Sequence, residues 1–185
     1  MKNILKTLID YSLFEKYDKD YFINNKILPL FENDISIKMA VCKSSKLETI
    51  KNDFNKMISF LEIDELELLF MISHIDQKTL LYSMALKAIS QNSFEKYVDK
   101  FLQELLSFSI NLRASDIHIE QYKDVILFKF RIDGRLKTFF AFYSEFFKLI
   151  SSYIKLISTL DMTQIRLPQD GRFALNIEDK KYDFR

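Results

Sequence analysis

A chain of 185 residues with 27 basic and 26 acidic side chains, formal net charge +1, is too evenly charged for a globally basic nucleic-acid or membrane binder. Its 48% hydrophobic and 29% charged residues are the composition of a folded domain rather than a disordered chain, and 18 phenylalanines point to a large core. The single cysteine, Cys42, excludes an intrachain disulfide and a cysteine-rich zinc site, which fits a reducing cytoplasm.

The opening MKNILKTLIDYSLF carries Lys6 and Asp10 inside its apolar stretch, which interrupts any signal-peptide core, and no run of 18 uncharged apolar residues occurs. Leu5, Leu8, Ile9 and Leu13 predict an amphipathic helix within residues 1–18. KILPLF (26–31) and ISIKMAVC (35–42) read as short strands, with Cys42 in the core rather than as a nucleophile. Leu47, Ile50, Phe54, Met57, Ile58 and Leu61 have helical spacing over 46–61. LELLFMI (66–72) fits strand or helix, and 77–90 is helical. Roughly residues 20–90 therefore read as a small α/β unit.

SFEKYVDKFLQELLSFSINLR (93–113) is the clearest helix, with Ser93 as N-cap and Phe94, Tyr97, Val98, Phe101, Leu102, Leu105 and Leu106 on one face. The period then switches to two. SDIHIE (115–120), a strand at 124–132 and its hairpin partner at 135–140 follow. A helix capped by Ser144 covers 144–160, a loop covers 161–171, and a second hairpin closes the chain. Residues 93–185 thus form an α+β layer sandwich with an antiparallel sheet, so the whole chain is α+β.

The chain has two glycines, Gly134 and Gly171, where an ordinary domain of this size carries about a dozen. Both stand in Asp-Gly-Arg. At the first, a two-residue turn would pair Ile132 with Arg135 and Arg131 with Leu136, mixing apolar residues with cations. A three-residue loop with Gly134 in a bulge position pairs Phe130 with Leu136, Phe128 with Thr138 and Ile126 with Phe140, so the buried face favours it. That register gathers Lys129, Arg131, Arg135 and Lys137 on one face. Like charges opposite one another destabilise a sheet. A carboxylate elsewhere in the chain or a bound phosphate should compensate. In the second hairpin a four-residue loop, 178–181, pairs Ile177 with Tyr182 and Leu175 with Phe184. Arg172 and Arg185 then share the opposite face, and with Arg166 they suit forked recognition of phosphate oxygens. Asp116, His118 and Glu120 alternate on one strand. Such spacing admits a metal, but an outer polar face is the simpler expectation.

ASDIHIE (114–120), FRIDGRL (130–136), IRLPQDGR (165–172) and YDFR (182–185), in this order and at these separations, resemble the N-terminal region of the secretion ATPases of type II secretion, type IV pilus assembly and competence systems. The resemblance covers roughly residues 93–185. It implies a PAS-like module at 93–185, preceded by a docking domain at 1–92 for an inner-membrane secretion or pilus platform, in a cytoplasmic homo-hexamer that binds ATP with magnesium. It also implies that Arg131, Arg166, Arg172 and Arg185 reach over nucleotide held by a separate RecA-like domain. Lys129, Arg135 and Gln164 depart from the family's usual arginine, small apolar residue and glutamate.

No G-x-x-x-x-G-K-[ST] occurs, so the resemblance points to the front part of an ATPase that does not hydrolyse ATP alone. Two other readings stand beside it: a non-enzymatic adaptor for a membrane-platform protein, and a single-stranded nucleic-acid binder stacking bases on Phe and Tyr. The near-zero net charge weighs against the second, and neither membrane insertion nor direct nucleic-acid contact is expected.

Overall fold

The structure, a computed structural model, describes residues 8–48, 50, 54–90 and 94–185. Helices α1 (Leu13–Lys16) and α2 (Lys19–Asn25) precede strands β1 (Ile27–Glu32), β2 (Ser36–Val41) and β3 (Met57–Glu62). Helices α3 (Glu65–Ile72), α4 (Ile75–Ser90) and α5 (Phe94–Asn111) lead to β4 (Asp116–Gln121), β5 (Val125–Ile132) and β6 (Arg135–Tyr143). Helix α6 (Phe146–Ile157) and the hairpin β7 (Phe173–Ile177) and β8 (Lys180–Phe184) complete an α+β fold. Sheet β1-β2-β3 has one antiparallel and one parallel pairing; sheet β4-β5-β6 is an antiparallel meander, and β7-β8 stands as a two-stranded sheet.

The N-terminal helix differs from expectation. Residues 1–7 lie outside the described residues, and the described helix ends at Lys16, where Tyr17 turns to extended backbone. Asp18 then caps α2 by accepting from the Asp20 N–H at 2.9 Å. The helix expected over 46–61 is also corrected: Met57–Glu62 is a strand paired parallel with β2. Its alternation, Ile58 and Phe60 inward against Met57 and Ser59 outward, satisfies a period of two as well as the helical spacing did. Residues 49 and 51–53 of that stretch are outside the described residues. LELLFMI is helical, started by Asp64, whose carboxylate accepts from the Leu66 and Glu67 N–H groups at 2.9 and 3.1 Å.

Helix α5 carries the expected face. Val98, Phe101, Leu102, Leu105 and Leu106 are buried, and the Phe101 ring meets Phe128 of β5 at 5.2 Å and Phe146 of α6 at 4.7 Å. The expected cap, Ser93, lies outside the described residues. Ser144 makes no side-chain cap: the α6 N-cap is Glu145, and only the Ser144 carbonyl accepts, from Phe147 N–H at 3.0 Å. Cys42 is buried, as expected. One hydrophobic cluster runs through both halves of the chain, with Tyr11 against Phe140 at 5.4 Å and Tyr82 against Phe142 at 5.2 Å.

Two polar groups are embedded in this framework. Glu32, at the end of β1, accepts from Lys16 at 2.5 Å, Tyr17 at 2.5 Å and pairs with Lys56 at 2.8 Å, drawing α1 and the approach to β3 together. Lys78 is fully buried on the inner face of α4, in step with Ile75, Leu81, Tyr82, Ala85 and Ala88. Its ammonium donates to the carbonyls of Phe70 and Met71, which end α3.

Candidate functional site

The β5–β6 hairpin turns through two residues, Asp133 and Gly134, at φ 50° and 74°. Both are left-handed, as a type I′ turn requires, because that turn matches the twist of the flanking strands. The three-residue loop is therefore corrected. Ile132 pairs with Arg135, Arg131 with Leu136, Phe130 with Lys137 and Lys129 with Thr138. A bulge between Phe128 and Lys129 on the β5 side then admits one extra β6 residue, and pairing resumes at Phe128–Phe140 and Ile126–Phe142. Phe139, at the bulge, stacks on Phe130 at 4.8 Å and Phe108 at 4.7 Å. The bulge restores the buried face five residues from the turn, so the turn could keep its preferred type.

The four cations accordingly do not share a face. Lys129 and Arg131 stand on one side, Arg135 and Lys137 on the other, with the Lys137 ammonium 5.6 Å from the Phe70 ring centre. Strand β4 supplies the compensating carboxylates. Asp116 lies opposite Arg131 and accepts from its Nε at 2.9 Å; Glu120 accepts from Lys129 at 2.5 Å and from the Tyr122 hydroxyl at 2.9 Å. Hydrogen bonds from Ser115 and Arg131 hold the Asp116 carboxyl below its ordinary range. Hydrogen bonds from Lys129 and Tyr122 do the same for Glu120. Both carboxylates of the Asp116, His118, Glu120 series are thus occupied by cations. Among the described residues, no group of three His, Cys, Asp or Glu side chains could hold a metal ion.

The second hairpin is also tighter than expected. Glu178 and Asp179, at φ 48° and 62°, make a two-residue turn, and the pairs are Ile177–Lys180, Leu175–Tyr182 and Phe173–Phe184. Shortening the loop by two residues slides each partner along β8 by two and leaves the faces unchanged. Arg172 and Arg185 flank the Phe173–Phe184 pair, both exposed. Arg185 Nη2 is 3.5 Å from Asp170 Oδ2. Arg166 is exposed in the preceding loop.

That loop is built by glutamines. Gln164 Oε1 accepts from the N–H groups of Arg166 and Leu167 at 3.0 and 3.2 Å, and the Gln164 carbonyl accepts from Lys155 Nζ at 2.6 Å. Gln169 Nε2 donates to the carbonyls of Asp161 and Gln164, and its Oε1 accepts from Asp161 N–H. The loop displays Ile165, Leu167 and Met162 to solvent. It returns against the end of α6 at Gly171, where an added Cβ would lie 2.8 Å from both the Ser158 carbonyl oxygen and Leu160 Cδ2. The second glycine therefore serves close approach, and the first serves a left-handed φ.

A cleft of about 790 Å³ lies among α5, β4, the end of α6 and the β7–β8 hairpin. Arg185 and Asp170 line it, as does Asp116, the partner of Arg131. Arg131, Arg166 and Arg172 do not line it, so of the four arginines singled out in the sequence only Arg185 does. Sequence reasoning missed Lys78, although its place in the apolar spacing of α4 was there to be read.

The family model for type II/IV secretion system proteins matches residues 90–185, more than half of the chain. The chain belongs to the type II/IV secretion system protein family. It is 38% identical to the type II secretion system protein E of Aeromonas hydrophila over 86 residues, 46% of this chain and 17% of that protein. Against the putative type II secretion system protein E of Escherichia coli K12 it is 40% identical over 88 residues, 48% of this chain and 18% of the relative. The type II secretion system ATPase E of Vibrio cholerae is 36% identical over 86 residues, again 46% and 17%. The matched segment thus spans under a fifth of each of these secretion proteins, and all four motifs fall inside the family's residues 90–185. No helix among the described residues is long and apolar enough to cross a membrane.

Proposed function

We propose that this chain is the N-terminal regulatory and docking part of a cytoplasmic secretion ATPase. Residues 93–185 form its PAS-like module, and residues 1–92 form the unit that docks on an inner-membrane platform of a type II secretion, pilus or competence machine. The ATPase works as a hexamer, and ATP with magnesium is bound by a separate nucleotide-binding domain. Arg166, Arg172 and Arg185 reach that nucleotide, and Arg131 joins them when its bond to Asp116 exchanges for a phosphate oxygen. The observation that carries the reading is the family match over residues 90–185 together with the exposure of Arg166, Arg172 and Arg185. Among the described residues, the only ion pair of these three is the 3.5 Å approach of Arg185 to Asp170. Charged donors held away from carboxylates keep their capacity for phosphate oxygens.

The test is magnesium-dependent ATP hydrolysis by the full-length protein, with the 185-residue chain as a control that turns over no ATP. Arg172→Ala should reduce the full-length rate at least tenfold while its thermal unfolding stays unchanged. An unaltered rate in both Arg166→Ala and Arg172→Ala would overturn the arginine roles.

A further inference from the structure

Strand β4 forms one edge of the β4-β5-β6 sheet and, among the described residues, pairs only with β5. The Tyr122 N–H donates to the Val125 carbonyl at 2.8 Å. Antiparallel alternation then turns the backbone groups of Glu120, His118 and Asp116 toward β5 and those of Ile117 and Ile119 away from it. The free groups open onto the cleft, whose lining includes both isoleucines. Across it stand Phe173 and Phe184 of the second hairpin, over an apolar floor of Leu102 and Leu105 from α5. An unpaired edge facing an apolar trough is a template for one more strand.

The charge at the rim selects the occupant. Asp170 and Asp183 line the cleft against one lining cation, Arg185, while Asp116, also in the lining, is already paired with Arg131. Asp183 makes no ion pair among the described residues. A second copy's β4 suits the slot poorly. It brings its own sheet, and antiparallel pairing about His118 would set Asp116 against Glu120, a like-charge pair.

We infer that this cleft accepts one extended segment of a partner protein, in which apolar residues alternate with lysine or arginine, paired along the free edge of β4. Apolar side chains on one face of that segment lie over the α5 floor, and basic side chains on the other meet Asp170 and Asp183. The inference stands apart from the nucleotide reading and survives its failure.

The probe is a fluorescent hexapeptide of alternating valine and lysine, blocked at both ends, titrated into the 185-residue chain. Three companions accompany it: a peptide N-methylated at alternate residues, a peptide of alternating valine and glutamate, and the double variant Asp170→Asn, Asp183→Asn. Saturable binding is expected, with slowed amide exchange at Ile117 and Ile119. N-methylation or the acidic peptide should abolish binding. The double variant, both of whose sites are exposed, should bind at least threefold more weakly with unchanged unfolding. Absence of saturable binding, equal binding of the N-methylated or acidic peptide, or protection confined to another strand overturns the inference.

Discussion

Replacing Lys78 by methionine isolates the energetics of one buried charge. Lys78 has 0% exposure, and its Nζ donates to the Phe70 and Met71 carbonyls at 3.0 and 2.9 Å, with the Phe70 and Phe139 ring centres at 5.4 and 5.1 Å. No carboxylate pairs with it among the described residues. Burial pulls its pKa from 10.5 down to about 7. Because the folded value lies below the unfolded one, the unfolded chain binds more protons between pH 7 and 10.5, and stability rises with pH across that window. Below pH 7 both states are protonated and the full burial cost stands; 3.5 pH units at 1.36 kcal/mol each put it at about 5 kcal/mol. Methionine keeps the apolar stem but cannot titrate.

Urea unfolding of both proteins at pH 7 and pH 9 provides the assay. Every other titrating group cancels in the difference. The stability of the wild type relative to Lys78→Met should rise by about 2 kcal/mol between these pH values, allowing for half-protonation at pH 7. At pH 9 the variant also shows the cost of two helix-end carbonyls without a donor, about 1–3 kcal/mol for each unsatisfied group. Parallel stability curves would refute the reasoning, since they would mean that the lysine keeps its ordinary pKa in the folded protein.

Gly171→Ala should destabilise by about 1–3 kcal/mol through overpacking against Ser158 and Leu160, while Gly134→Ala should cost roughly 1–2 kcal/mol through left-handed strain alone, with nothing within 4 Å of the new Cβ. Chemical denaturation separates them, because a truncation, Leu160→Ala, should relieve part of the first, leaving the Ser158 carbonyl contact, and none of the second. Burial pushes the Glu32 carboxyl up, but hydrogen bonds from Lys16, Lys56 and Tyr17 outweigh it and bring the pKa to about 2. Its contribution is thus complete above pH 4.5 and lost as pH falls toward 2. Glu32→Gln should cost about 1.5–3 kcal/mol at pH 7, with the gap closing in unfolding curves taken through that acid range. Asp116→Asn should shift stability by less than about 1 kcal/mol, since both partners of its ion pair are more than a third exposed. On the role proposed for Arg131, the same substitution should tighten ATP binding by the full-length protein, which equilibrium titration would register.

Helix α5 was legible because five buried positions, Val98 to Leu106, repeat at helical spacing within an 18-residue helix, which no strand pattern imitates. Met57–Glu62 was not, because six residues satisfy either period and the parallel partner β2 decides. The hairpin register failed for a different reason. A uniform period of two pairs facing residues along the whole hairpin, whereas the strand inserts Phe139 and changes phase. The Asp-Gly turn obeyed its local preference, and a bulge several residues away absorbed the mismatch. Arg131 was legible as a candidate, but its pairing with Asp116 depends on the relative register of β4 and β5, which neither strand encodes alone. Lys78 is hard to read because a lysine ordinarily faces solvent, although its spacing places it inward.

That bulge also orders the arginines by availability. It leaves Lys129 and Arg131 on the face that β4 furnishes with Glu120 and Asp116, and sends Arg135 and Lys137 to the other side. Half of the hairpin's cationic charge, Lys129 and Arg131, is therefore neutralised by the neighbouring strand, and an anion approaching Arg131 must displace a carboxylate already accepting its Nε hydrogen bond. Arg172 and Arg166 stand outside that sheet, where no such exchange precedes contact. The two Asp-Gly-Arg sites differ for the same structural reason. The first glycine makes a turn whose arginine, Arg135, lies across the hairpin from the β4 carboxylates. The second lets the loop close on the end of α6 and begins the strand that carries Arg172 into solvent.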